Sequence, residues 1–290
     1  MLLCEHPMKR PIFKKILAVI TGLFAIIGLI FVAVFIGMEF GVFKVKGSTI
    51  ERNEYFDTSI IEQPTKDCLI SLCTWQETPE WIVIKSGLAK DRKIIDTVAN
   101  ETGIPSRVIA SVVVPEQLRY FTADREKFKH FFEPLKILGS LSQFSLGVSG
   151  IKQETARQIE KNILDKNSPF YPGGGYENLI AYPSDESDHT KLLYTRLSDP
   201  INHYYSYLYT ALYIKQIESQ WSGVGHPIDT RVGVIATLFN IGFENSKPKE
   251  NPEFGGAPIT LSNNKTYSYG EIGDMFYVSN ELTDIFPKTF

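Results

Sequence analysis

Glu116 is the side chain whose setting most suggests chemistry. It closes the apolar run Val108-Ile109-Ala110-Ser111-Val112-Val113-Val114-Pro115. On a helix, Ile109, Val113 and Glu116 share one face, at spacings i, i+4 and i+7. A carboxyl group set among apolar side chains is poorly solvated, which favours its neutral form. A neutral carboxylic acid in a cleft is the group that protonates a leaving oxygen when a glycosidic bond breaks. The plainer reading is an amphipathic helix whose polar face begins at Glu116. Asp124 and Glu126 are near enough to supply a second carboxylate, but the stretch Asp124-Arg125-Glu126-Lys127 reads as a solvated face.

Other chemistries find less support. His189, His203 and His226 are scattered without ligand spacing, so no metal site is expected. Gly147-Val148-Ser149-Gly150 stops one residue short of a Gly-x-Ser-x-Gly nucleophile elbow. Gly173-Gly174-Gly175 lacks the spacing and the lysine of a phosphate-binding loop. The net charge of -3, with no basic run, argues against nucleic acid as a partner.

The elements that must position Glu116 are mainly helices. Ile94, Ile95, Val98 and Ala99 give a helical pattern that Gly103 closes, and Pro105 suits the first turn of the helix carrying Glu116. Pro115 removes one hydrogen bond inside that helix and kinks it. A short helix is expected over 125–138, a loop or small hairpin over 140–151, a helix over 154–164 and a long loop over 168–190. Residues 201–221 read as a central helix, because Tyr204, Tyr205, Leu208, Ala211, Leu212 and Ile217 leave it few polar sides. Asp229 is expected to cap a further helix that Gly242 ends, and the last helix runs from about Tyr269 to Ile285.

The N-terminus addresses the compartment. Residues 16–38 carry no charged side chain. At about 1.5 Å per residue such a helix crosses the roughly 30 Å hydrocarbon core of a bilayer. Lys9, Arg10, Lys14 and Lys15 on its N-terminal flank place residues 1–15 in the cytoplasm. The exit, Val34-Phe35-Ile36-Gly37-Met38, is a poor cleavage site, which favours an uncleaved signal anchor. Residues 39–88 then form a stalk or lead-in, and 89–290 the main domain, on the periplasmic or extracellular face. Cys68 and Cys73 fall on that side, where a disulfide persists; a zinc site is the alternative, without a second ligand pair at the right spacing.

Three blocks in this order resemble the lytic transglycosylases and the related goose-type lysozymes. Val112-Val113-Val114-Pro115-Glu116-Gln117 is similar to the helix that ends in the family's catalytic glutamate. Ser145-Leu146-Gly147-Val148-Ser149-Gly150-Ile151-Lys152-Gln153-Glu154-Thr155-Ala156 is similar to its second block, and Leu238-Phe239-Asn240-Ile241-Gly242 to its third. The resemblance covers roughly residues 90–245. It departs at Gln117, where the family has Ser, at Gly150, where it has Gln and where a side-chain contact near the cleft is lost, and at Phe239, which replaces Tyr.

The resemblance implies a mainly α, lysozyme-like α+β domain whose ligand is the glycan strand of peptidoglycan. Glu116 would be catalytic, and Gln117, Ser145, Gly147, Tyr205, Phe239 and Asn240 would bind substrate, without cofactor. The activity implied is cleavage of β-1,4 bonds between N-acetylmuramic acid and N-acetylglucosamine. The alternative is a catalytically inactive glycan-binding or scaffold protein of the cell envelope. Protein partners stay open.

Overall fold

A computed structural model describes residues 15, 18–29, 74–122, 145–185, 187–199 and 201–289. The chain divides into two units, residues 1–46 and 47–290. In the first unit, residues 18–29 are helical and exposed along their whole length. Among the described residues no helix is long and apolar enough to cross a membrane; of the span expected at 16–38, residues 16, 17 and 30–38 lie outside them. Cys4, Cys68, Cys73, Asp124, Glu126 and the helix expected over 125–138 lie outside the described residues as well.

The second unit is mainly helical. Its elements are α1 (Pro79–Lys90), α2 (Arg92–Thr102), α3 (Ser106–Thr122), the strands β1 (Ser145–Leu146) and β2 (Ile151–Lys152), then α4 (Gln153–Leu164) and α5 (Glu177–Ile180). They continue with α6 (His189–Ser198), α7 (Tyr204–Gly223), α8 (Val232–Ile241), β3 (Pro258–Thr260), β4 (Thr266–Ser268) and α9 (Tyr269–Val278). The strands form two antiparallel hairpins, Leu146 opposite Ile151 in one and Ile259 opposite Tyr267 in the other. The first is the small hairpin expected near 140–151; the second follows from the tight turn at Asn263 and Asn264, where Asn264 takes a positive φ.

α3 is the axis of the unit. It packs against α1, α2, α7, α8, α9 and β3, and every residue from Arg107 to Leu118 is buried. Gly103 ends α2 in the left-handed conformation expected of it, and α3 begins immediately after Pro105. α7, the expected central helix, packs against α2, α4, α6 and α8 as well as α3.

Several boundaries differ from those expected. The ordered structure extends ahead of residue 89: Trp75 and Trp81 are buried edge to face at 4.9 Å, so the end of the lead-in belongs to the core. Asp229 does not cap α8; Arg231 stands at that position, and its guanidinium donates to the Pro252 carbonyl at 2.8 Å. α6 replaces the end of a loop, because the Asp188 side chain caps its first turn at Lys191 N. α9 stops at Val278 instead of near Ile285, because Arg107 takes over its terminal carbonyls. The Arg107 guanidinium donates to the carbonyls of Phe276, Tyr277, Ser279, Glu281 and Phe286, at 2.7 to 3.0 Å. All five of its N–H donors find an acceptor, and the chain end is tied to the first turn of α3.

Candidate functional site

Glu116 sits where α3, the turn between β1 and β2, and the start of α9 converge. Its side chain is 9% exposed, so the buried setting expected of it is present. Its partner is not apolar, however. Arg119, one turn further along α3, places one guanidinium nitrogen 2.7 Å and 2.9 Å from the two carboxyl oxygens. Glu and Arg three residues apart on a helix are neighbours, so α3 itself brings this pair together.

The turn over Gly147–Gly150 covers the other side of the carboxyl. Gly150 has φ +63 and packs so closely on Glu116 that a Cβ at this position would overlap the carboxyl group. Both facts require glycine here. Gly150 is thus the residue that makes room for Glu116. Gln117 clamps the same turn, its amide donating to the Val148 carbonyl. On the far side, Ser149 N donates to Ser206 Oγ at 3.2 Å and Ser149 Oγ to the Ser206 carbonyl at 3.1 Å. Gly147, also at positive φ, lies against the Leu197 carbonyl and the Ser206 side chain. The turn is therefore fixed between α3 and α7.

α9 completes the enclosure. Ser268 and Glu271 cap each other's backbone, which fixes Tyr269 as the first helical residue. The Tyr269 hydroxyl donates to the Val112 carbonyl at 2.8 Å and also interacts with the Glu116 carboxyl. Burial first, and the Glu116 charge second, hold this phenol well above its ordinary pKa, so it is a neutral donor. Pro115 leaves the Ser111 carbonyl without its helical donor, and Gly273 brings the α9 backbone against that carbonyl. The freed Ser111 carbonyl and the middle of α9 thus meet at the turn of α3 that precedes Glu116.

The other expected binding residues have separate settings. Gln117 is 1% exposed and offers its surface to the turn, not to a ligand. Ser145 opens β1 opposite Lys152. Tyr205 is half-buried with the Arg196 guanidinium 4.4 Å from its ring centre, so one face is already covered. Phe239 is a core ring tilted on Tyr213 at 5.1 Å. Asn240 accepts a hydrogen bond from Ala257 N at 2.8 Å; Gly256 packs between Asn240 and Tyr269, which links the third block to Glu116 at one remove. Arg119 and Tyr269 were not singled out by the sequence. The capping pair Ser268 and Glu271 was a legible signal for where α9 starts, but not for what its first residue reaches.

Two of the described histidines, His203 and His189, pack against other side chains. His203 Nδ1 lies 2.8 Å from Asp91 Oδ2, which also accepts from Tyr207 Oη at 2.6 Å, all three residues being buried. His189 stacks on Tyr182 at 4.2 Å. Among the described residues, no group of three His, Cys, Asp or Glu side chains is placed to hold a metal ion.

Compared with protein-family models, with curated proteins and with solved structures, the chain matches none.

Proposed function

We propose that this protein is a membrane-anchored glycosidase acting on the glycan strands of peptidoglycan, with Glu116 as its single acid and base. The observation that carries the reading is the convergence on one buried carboxyl of the two sequence blocks at 112–117 and 145–156. Tyr269 is added from α9, and Asn240 stands one residue behind it. The fold expected on this reading is lysozyme-like.

The chemistry follows from one carboxyl. Glu116, neutral, gives its proton to the glycosidic oxygen as the bond from that oxygen to C1 breaks. The 2-acetamido oxygen of the sugar stabilises the positive charge at C1. Glu116, now ionised, takes the proton of the same sugar's C6 hydroxyl, whose oxygen bonds to C1 and closes a 1,6-anhydro ring. Water in place of that hydroxyl gives the lysozyme product. Two-carboxylate glycosidases need a second acid at fixed separation; this path does not. Tyr269 holds the Val112 carbonyl and the Glu116 carboxyl, and Gly150 leaves the space in which the carboxyl lies.

The test is to incubate the full-length protein with purified peptidoglycan and weigh the soluble fragments by mass spectrometry. Release of 1,6-anhydro fragments, one water lighter than hydrolysed ones, is the expected result. Binding to the glycan without release of any fragment would contradict it. One observation favours the second reading, a glycan-binding protein without turnover: both Glu116 oxygens accept from Arg119, a pairing that holds the carboxyl to a cation and not toward a substrate.

Anchoring belongs to the same proposal. Residues 1–15 are cytoplasmic, 16–38 span the membrane, and the chain after about residue 40 lies outside. Recovery of a soluble mature form beginning near residue 38 would contradict the anchor.

A further inference from the structure

Resting on the reading of this site as one for glycan, we infer that Asn240 is a specificity-determining residue. It selects sugars with an acetamido group at C2, its side-chain amide donating to the carbonyl oxygen of that group.

The loop ahead of β3 fixes that amide. Asn240, in the last turn of α8, accepts from Ala257 N through Oδ1 at 2.8 Å. An amide whose oxygen is taken by an N–H group has its NH2 group on the other side, so the backbone assigns the donor end. The loop is itself tied down. Gly255 N donates to Thr237 Oγ1 at 3.0 Å, Gly270 N to the Gly255 carbonyl at 2.8 Å, and Tyr269 N to the Ala257 carbonyl at 3.1 Å. Gly256 lies within this strap at φ +91, where a Cβ would crowd both Asn240 Oδ1 and Tyr269 Cβ. Asn240 is thus held one residue away from Tyr269, which interacts with Glu116. Asn240 is half-buried, and its Nδ2 donates to no group among the described residues. A donor pinned in one orientation needs little ordering to meet an acceptor. The two sugars of peptidoglycan differ from glucose in common by the acetamido group at C2, which ends in a carbonyl. The sugar whose C1 reacts uses its own acetamido oxygen there, so Asn240 takes that of a neighbouring sugar.

The experiment measures binding by the full-length protein, so it does not depend on turnover. Chitotetraose and cellotetraose are both neutral β-1,4 chains and differ only at C2, acetamido in one and hydroxyl in the other. The wild type is expected to bind chitotetraose about tenfold more tightly or better, the usual worth of one hydrogen bond to a neutral group. Asn240→Asp keeps an acceptor for Ala257 N–H but puts an oxygen where the NH2 group stood. It should lower the preference about tenfold and leave cellotetraose affinity unchanged, which separates selection from support of the strap. Asn240→Ser, which lacks the amide altogether, should show the same loss and serves if the aspartate variant does not fold. Equal affinities in the wild type, an unchanged preference in a folded variant, or no binding of either chain would overturn the inference. The glycosidase reading stands or falls separately, on whether the wild type releases fragments from peptidoglycan.

Discussion

Glu116 is held by residues whose contributions can be removed one at a time, and Gly150 is the most exacting of them. Alanine there meets two obstacles, a positive φ that a Cβ disfavours and the Glu116 carboxyl itself. Gly150→Ala should lose about 1–3 kcal/mol of stability through strain and overpacking. It should lose fragment release out of proportion to that, because the carboxyl must turn out of its place. Thermal melting and product release measured on one preparation check this. A variant that folds less stably but cuts at the wild-type rate would show that the close contact does not position the acid. Glu116 was legible in the sequence, since an acid closing an apolar run is conspicuous. Its partners were less so: Arg119 reads as the ordinary polar side of a helix, and Gly150 as turn chemistry.

At the scale of elements, the account depends on how α3 and α9 are joined. Arg107 looks in sequence like a polar interruption at the start of an apolar run. Its acceptors lie 169 to 179 residues away along the chain, where no local pattern announces them. Burial lowers its pKa from the ordinary value, and the ring of Phe276 lies 4.8 Å from its guanidinium carbon. Arg107→Met keeps much of the volume and leaves buried carbonyls without donors, a loss expected to cost about 3–5 kcal/mol. Chemical denaturation read by tryptophan fluorescence is suited to this, because Trp81 packs on Phe276 at 5.7 Å; a change below about 1 kcal/mol would mean that other groups hold the end of α9. The helices with a strong period, α2 and α4, were readable to within a few residues. α1 was not, because its apolar residues lie on several sides and only Ile82 among the large ones is exposed. The β3–β4 hairpin was missed because its strands are three residues each, too short for alternation to register.

For the molecule as a whole, stability should depend on pH through a carboxyl outside the candidate site. Burial pushes Glu218 up to about 7; Asp229 adds to the shift, and Lys215 opposes it. An acid whose pKa is higher folded than unfolded binds more protons in the folded state between its ordinary value and 7, so stability falls as pH rises through that window. Glu218→Gln should remove the fall and stabilise the protein at pH 8 by roughly 1–2 kcal/mol, allowing for the partial exposure of the group. Melting temperatures at pH 5 and pH 8 test it: the variant should gain only at pH 8, and an equal change at both values would assign the effect to packing.

The whole account comes down to whether Glu116 transfers a proton. Glu116→Gln keeps the shape of the side chain and a hydrogen-bonding group beside Arg119 and Tyr269, but cannot act as an acid. The most direct measurement is the rate of fragment release from peptidoglycan by this variant and by the wild type, with co-sedimentation recording how much of each binds the glycan. The account predicts a fall of about a hundred- to ten-thousand-fold in rate, the usual contribution of a general acid, with binding retained. A variant that releases fragments at the wild-type rate would contradict it.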